Sequence, residues 1–235
     1  MVPTGHIAGT NRILATLPAK DRNALTARCD EVKLTFGQIL DEPGQRIAHV
    51  YFPIDSYISL VTKPSGEASL EVGLVGDEGM HGVTLVLGVD VSPLQALVQG
   101  AGPALRLGAS AFRRECAARP ALRRALDRYL YVLMNQLAQS AACTRFHLIE
   151  SRLARWLLMT QDRAHADTFS VTHEFLAWML GVRRVGVTGA ASALQRQHLI
   201  SYKRGLVTVL NRPGLEAASC PCYQLNKDIY DRMLS

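Results

Sequence analysis

Two pairs of cations stand out among the residues able to do chemistry: Arg183-Arg184 and Lys203-Arg204. A guanidinium is a planar fork of donors that can pair bidentately with a guanine edge, whereas an ammonium meets a phosphate as a point charge. The close thiols are Cys220-Pro-Cys222, and two thiolates alone leave a tetrahedral metal site half filled. Cys29, Cys116 and Cys143 are scattered, so the thiols are expected reduced, with no zinc-spaced His/Cys array and no metal or cofactor. His49 and His81 are isolated and lack the His-x-His spacing of a metal-binding cupin. Neither a GxSxG elbow nor a glycine-rich phosphate cradle is present, so the chain does not read as an enzyme.

The arginine and lysine pairs need elements to aim them, and residues 172–210 supply these. Thr172 is a good N-cap, and Phe175, Leu176, Met179 and Leu180 form the inner side of a short helix. Gly181 follows where a tight turn needs a permissive backbone. A second helix from about Arg183 to Gln197 turns Val187, Ala190, Ala191 and Leu194 inward, and these small residues allow close crossing. Ser201-Tyr202-Lys203-Arg204-Gly205 and the strand Leu206–Leu210 then read as a β-hairpin with a basic tip. Helix, turn, helix and basic hairpin predict a winged helix-turn-helix that sets Arg183 and Arg184 at the start of a helix able to enter a major groove.

The charge is distributed to match. The chain of 235 residues carries a net +6, but residues 1–144 hold 14 basic and 13 acidic side chains while residues 145–235 hold 12 and 7. Within 168–212, Arg183, Arg184, Arg196, Lys203, Arg204 and Arg212 face a single acid, Glu174. Such a concentration is the footprint of a polyanion. No apolar run approaches the ~20 residues of a membrane span, and MVPTGHIAGT does not resemble a signal peptide, so a cytoplasmic location is expected.

Upstream, residues 11–29 read as helical, broken at Pro18. Val32 to Leu107 is a series of short runs, VKLTF, HVYF, YISLVT, SLEVGLV, VTLVLGV and QALVQ, punctuated by FGQ, EPGQ, KPSGE, GDEG and AGP turns; it predicts a barrel or sandwich. Pro120 then opens a helix of about 25 residues with a stripe of Leu122, Leu126, Tyr129, Leu133 and Leu137. That stripe can pack inside a domain or serve as the seam of a dimer; the seam is the favoured expectation, in which Leu126→Asp or Leu133→Asp separates the subunits. A further helix follows, with Leu153, Trp156 and Leu157 on its buried side.

FLAWMLGVRRVGVTGAASALQRQHLI resembles the helix-turn-helix of the Crp/Fnr family of bacterial transcription regulators. Leu34–Leu40, Glu42-Pro-Gly44 and Val50-Tyr-Phe52 look like the opening of that family's β-roll, and 120–145 sits where its dimerisation helix lies. The resemblance implies an α+β chain: a jelly-roll-like β-roll sensor over 11–118, a dimerisation helix over 119–145, a winged helix-turn-helix over 146–220 and a C-terminal tail over 221–235. It implies a homodimer on double-stranded DNA, with RNA polymerase as a further partner and no membrane. The alternative is a small-molecule sensor or cupin-like protein without DNA-binding activity.

Carried over residue by residue, Arg184 matches a base-reading arginine, while Val185 and Gly189 replace the other two base-reading positions. Thr172, His173 and Arg183 match phosphate-holding positions, and Thr188 lies on the same helix face as Arg184 and Val185. Lys203 and Arg204 suit phosphates. At the family's cyclic-nucleotide pocket this chain has Gly82-Val83 for a Gly-Glu pair, Leu94-Gln95 for an Arg-Ser pair, and Leu137-Ala138 for hydroxyls on the long helix. Cyclic AMP and cyclic GMP are therefore not expected as effectors, and the effector is unassigned. Residues 1–28 hold no cysteine for the iron–sulfur cluster of the Fnr branch, and haem is not expected on His49 or His81.

Overall fold

The computed structural model describes residues 10–63 and 69–234. Helices α1 (Arg12–Ala15) and α2 (Ala19–Thr26) precede β1 (Asp30–Leu34), β2 (Ile39–Asp41), β3 (His49–Pro53), β4 (Tyr57–Thr62) and β5 (Leu70–Val75). A 3-10 helix (Val83–Leu87) leads to β6 (Gln95–Gly100) and β7 (Gly102–Gly108). Then come α3 (Ala109–Ala118), α4 (Pro120–Phe146), α5 (Ile149–Ala164), β8 (Thr168–Ser170), α6 (His173–Leu180) and α7 (Arg184–Arg196). Strands β9 (Ile200–Lys203) and β10 (Leu206–Val209) and helices α8 (Arg212–Ala218) and α9 (Cys222–Leu234) follow. Most of the KPSGE turn lies outside the described residues.

The N-terminal strands form two sheets, in the orders β1-β7-β3 and β2-β6-β4-β5, whose non-sequential neighbours mark the crossovers of a roll. One expected strand is absent: VTLVLGV forms the 3-10 helix, with the Leu85 amide on Gly82 O at 3.2 Å and the Gly88 amide on Leu85 O at 3.1 Å. A short apolar run satisfies strand and helix periodicity alike, and here local i to i+3 bonding prevails.

Within the described residues the chain forms two compact units. One gathers residues up to Leu60, Val75–Met134 and the last residues from Asp228; the other gathers Val61–Leu74 and Asn135–Lys227. In the first, Ile13, Leu14, Val50, Phe52, Phe112, Leu122, Leu126, Tyr129 and Val132 make one core. Asn11 fastens α1 to it, donating to Pro53 O at 3.0 Å and Gly79 O at 2.7 Å while its oxygen accepts from the Ile13 amide. In the second unit, β8, β10 and β9 form an antiparallel sheet beside α5, α6, α7 and α8.

The stripe on α4 faces inward. Leu122, Leu126 and Tyr129 are wholly buried in the chain's own core, and Leu133 and Leu137 are half-buried. Further along, the same face carries Gln136, which donates to Leu74 O at 3.5 Å, and Ser140, which donates to Val72 O at 3.0 Å. The expectation that Leu122, Leu126 and Tyr129 form a seam between subunits is therefore corrected: a 3–4 residue period is common to both roles, and the β-roll takes up this stripe. What α4 leaves open is the opposite face, where Tyr131 and Met134 are 49% and 66% exposed and Ala138 and Ala141 lie at the surface. The expected C-terminal tail is also structured, as α9, with Tyr223, Asn226, Tyr230 and Leu234 buried.

Leu126→Ala is expected to cost ~2–5 kcal/mol of stability, read as a lower urea midpoint, because it opens a cavity inside a subunit. For the same reason Leu126→Asp should unfold the chain; folded monomers of Leu126→Asp in sedimentation would return the residue to a seam.

Candidate nucleic-acid interface

Thr172 caps α6, its Oγ1 accepting from the Phe175 amide at 3.1 Å. Gly181 closes the helix at φ +62° and ψ +42°, and its N–H and that of Val182 return to Trp178 O and Ala177 O at 3.2 and 2.9 Å. A left-handed residue is what this turn requires, and a Cβ here would press on Leu70 at 3.0 Å. Arg152, buried on α5, donates its guanidinium to Leu180 O and so holds the last turn of α6.

Helix α7 then packs Val187, Ala190, Ala191 and Leu194 inward. Arg183 is its N-cap, without a side-chain cap bond, and Arg184, Val185 and Thr188 stand exposed on the opposite face, Val185 at 76%. Val207 and Val209 on β10 and Ile200 on β9 are buried, so the hairpin is pinned at its base. At its tip Arg204 and Gly205 join Lys203 to Leu206 with φ of +52° and +79°. Two positive φ values are the signature of a type I′ turn, whose twist suits a two-residue hairpin.

One polar cluster ties these parts together. The Thr188 hydroxyl lies 3.1 Å from His173 Nδ1 and 3.1 Å from Arg184 O. The His173 ring lies 4.4 Å from the Tyr202 ring, centroid to centroid, and the Tyr202 hydroxyl donates to Val171 O at 2.8 Å. The Tyr202 amide donates to Gln195 Oε1 at 2.9 Å. Start of α6, start of α7 and wing are thus held in one register. Burial first, and then the Arg184 charge, hold His173 below its ordinary 6.5.

Arg183, Arg184, Arg196, Lys203 and Arg204 are exposed and have no ion pair among the described residues. Arg212, counted with them from the sequence, is committed elsewhere: it holds Asp162 at 2.6 Å, Glu216 at 3.0 Å and the Tyr223 hydroxyl at 2.6 Å.

The residues matched to an effector pocket are placed as follows. Val83 is buried in the core of the first unit, next to Gly82 at the start of the 3-10 helix. Leu94 is half-buried, and Gln95 is buried with its amide donating to Glu42 Oε1 at 2.9 Å. On α4, Leu137 is half-buried and Ala138 exposed. His81 is buried with Nε2 2.5 Å from Asp41 Oδ2, a carboxylate that satisfies that nitrogen.

The thiols hold the feature that sequence reading missed. Cys220 and Cys222 do not stand as a pair: Cys143 and His147, at the end of α4, join them within 4.8 Å. The sequence has no zinc-spaced His/Cys array, and the cluster is formed only in the fold, since Cys143 and Cys220 lie 77 positions apart and no local spacing reports them. Cys143 is held down to about 5, first by its hydrogen bond with Cys220 and with help from the Arg155 charge, whereas Cys220 and Cys222 are raised.

Helix, left-handed turn, helix and basic two-stranded wing define a winged helix-turn-helix protein. Residues 151–218 match the family model described as the Crp-like helix-turn-helix domain, and the chain is similar in fold to solved structures described as Crp/Fnr-family regulators. No curated protein sequence matches the chain. Among solved structures, FixK2 from Bradyrhizobium japonicum is similar with TM-score 0.69 at 15% identity, over 82% of this chain and 98% of that one. A crp/fnr-family transcriptional regulator described from Eubacterium rectale gives TM-score 0.68 at 12% identity, over 88% and 96%. The c-di-GMP responsive global regulator CLP of Xanthomonas campestris gives 0.67 at 15%, over 82% and 99%. Among the described residues no helix is long and apolar enough to cross a membrane.

His173 provides the pH test. Its folded value lies below 6.5, so the unfolded chain binds the proton more readily; this contribution to stability is complete above 6.5 and is lost as pH falls through the folded value. Nuclear magnetic resonance titration of His173 should show a midpoint below 6.5, and Arg184→Ala should move it upward. An unmoved midpoint would detach Arg184 from the cluster.

Proposed function

We propose that this chain is a homodimeric, sequence-specific DNA-binding transcription regulator whose β-roll takes neither cyclic AMP nor cyclic GMP. The observation that carries the reading is the common exposure of Arg183, Arg184, Val185 and Thr188 on one face of α7 beside a wing tipped by Lys203 and Arg204. Uncompensated cations at the start of a helix whose outer face is exposed suit a major groove flanked by phosphates. Arg184 is the base reader, Val185 contacts a thymine methyl, and Thr172, His173, Arg183, Lys203 and Arg204 hold the backbone.

The second copy sits on the outer face of α4, where Tyr131, Met134, Ala138 and Ala141 make a stripe flanked by half-buried Leu133 and Leu137. An isologous pairing sets each stripe against itself. Against cyclic nucleotides stand Val83, which is packed into the core and has no acceptor for a ribose hydroxyl, and Leu94, which leaves the cyclic phosphate without a charge-assisted bond.

Selection of duplexes from a random pool at fixed salt should yield inverted half-sites about 34 Å apart. Arg184→Ala should relax one base position per half-site, a loss of ~1–3 kcal/mol in discrimination. Lys203→Ala with Arg204→Ala should weaken all sequences alike and lower the salt slope by about 2. A chain that binds no duplex even at low salt is a sensor module only, and the proposal is then wrong. Met134→Glu should give monomers in sedimentation, and calorimetry should show no micromolar binding of either cyclic nucleotide.

A further inference from the structure

Four donor atoms converge at the junction of α4, α5 and α9. Cys143 occupies the last turn of α4, and His147 follows four residues later, its amide on Cys143 O at 3.1 Å. Cys220 and Cys222 flank Pro221 where α9 begins. Cys143 Sγ lies 3.5 Å from Cys220 Sγ, Cys222 Sγ lies 3.6 Å from His147 Nδ1, and all four donor atoms fall within 4.8 Å of one another. A tetrahedral zinc ion with Zn–S of ~2.3 Å and Zn–N of ~2.0–2.1 Å places its ligands about 3.5–3.8 Å apart. The three cysteines are buried and His147 is half-buried, so the cage is closed to solvent on the sulfur side.

A second observation points to an anionic centre. Arg152 and Arg155 on α5 are both buried. Arg152 has a carbonyl partner, whereas Arg155 donates only from Nη1 to the Met159 thioether at 3.7 Å and its Nε has no hydrogen-bond partner among the described residues. A buried guanidinium whose bonded partner is a neutral thioether is costly unless negative charge lies near it. Three thiolates and a neutral imidazole on a divalent ion carry one net negative charge, which Arg155 balances.

We infer that Cys143, His147, Cys220 and Cys222 form a structural Cys3His zinc site that ties the end of α4 to the start of α9. Soft thiolates with one imidazole in a tetrahedral arrangement select zinc over oxygen-seeking cations. Thiolate ligation releases thiol protons to solvent, so affinity weakens as pH is lowered. The ligands all belong to the second compact unit, and the ion closes the chain segment that carries α5, α6, α7 and the wing.

The test uses the full-length chain purified under reducing conditions without added metal. Mass spectrometry of metal content should give about one zinc per chain, as a closed four-ligand site holds one ion. Exchange with Co2+ should produce visible bands of tetrahedral cobalt together with thiolate-to-cobalt charge transfer. His147→Ala, at a half-exposed position, should weaken zinc by more than the ~10–100-fold that loss of an outer hydrogen-bond partner costs, and His147→Cys should restore it. Cys222→Ser should lose the charge-transfer intensity of one thiolate. Three results would overturn the site: no bound metal and no charge transfer on Co2+ addition; iron with acid-labile sulfide in place of zinc; or zinc retained equally by His147→Ala and Cys222→Ser. Because the readout is metal content, the outcome is independent of DNA binding.

Discussion

Helix α4 has one buried face, and the parts of the chain that need an anchor along it take it from that face. Leu122, Leu126, Tyr129 and Val132 enter the core of the first unit; Gln136 and Ser140 then donate to backbone carbonyls of β5, and Cys143 reaches Cys220. Apolar contact, hydrogen bonds and sulfur chemistry follow one another along a single line of side chains at helical spacing. In each unit these contacts fix which side of its own stretch of the helix is buried, and with it which side is left open. The exposed Tyr131 and Met134 owe their position to that constraint.

The winged helix-turn-helix half is built the opposite way, from many short local bonds. A threonine cap, a left-handed glycine, an arginine on a helix-terminal carbonyl and a two-residue hairpin each satisfy backbone groups within a few residues or one helix away. The inner face of α7 is Val187, Ala190, Ala191 and Leu194, whose two alanines let it lie close to its neighbours, while Arg184 stands on its outer face. Local satisfaction leaves the arginines and lysine of that surface uncompensated, which is what gives the surface its positive field.

This difference explains what was legible in the sequence. Thr172, Gly181, Arg183-Arg184 and the Lys203–Gly205 tip could be read because caps and turns are decided by residues a few positions apart. The long helix was legible as a helix, but which way its stripe faces was not: the same period describes a seam and a core, and only the neighbouring β-roll decides. Val83–Leu87 was misread as a strand because a five-residue apolar run has no distinguishing period. Arg212 reads as one more surface cation from its neighbours in sequence, because its partner Asp162 lies 50 positions away. The four-ligand cluster was invisible for the same reason, since half of it comes from α4 and half from the start of α9.

The wing tip places two demands on one residue. A type I′ turn favours asparagine or aspartate at the position Arg204 occupies, because those side chains tolerate a left-handed backbone and a long one gains nothing there. The chain instead keeps a cation at φ +52°. A firmer hairpin and, under the proposed DNA contact, a grip on phosphate therefore ask for different side chains at Arg204. On that reading, a substitution at Arg204 would exchange wing rigidity for affinity, while the outer face of α7, which bears no such conflict, could change without disturbing the hairpin.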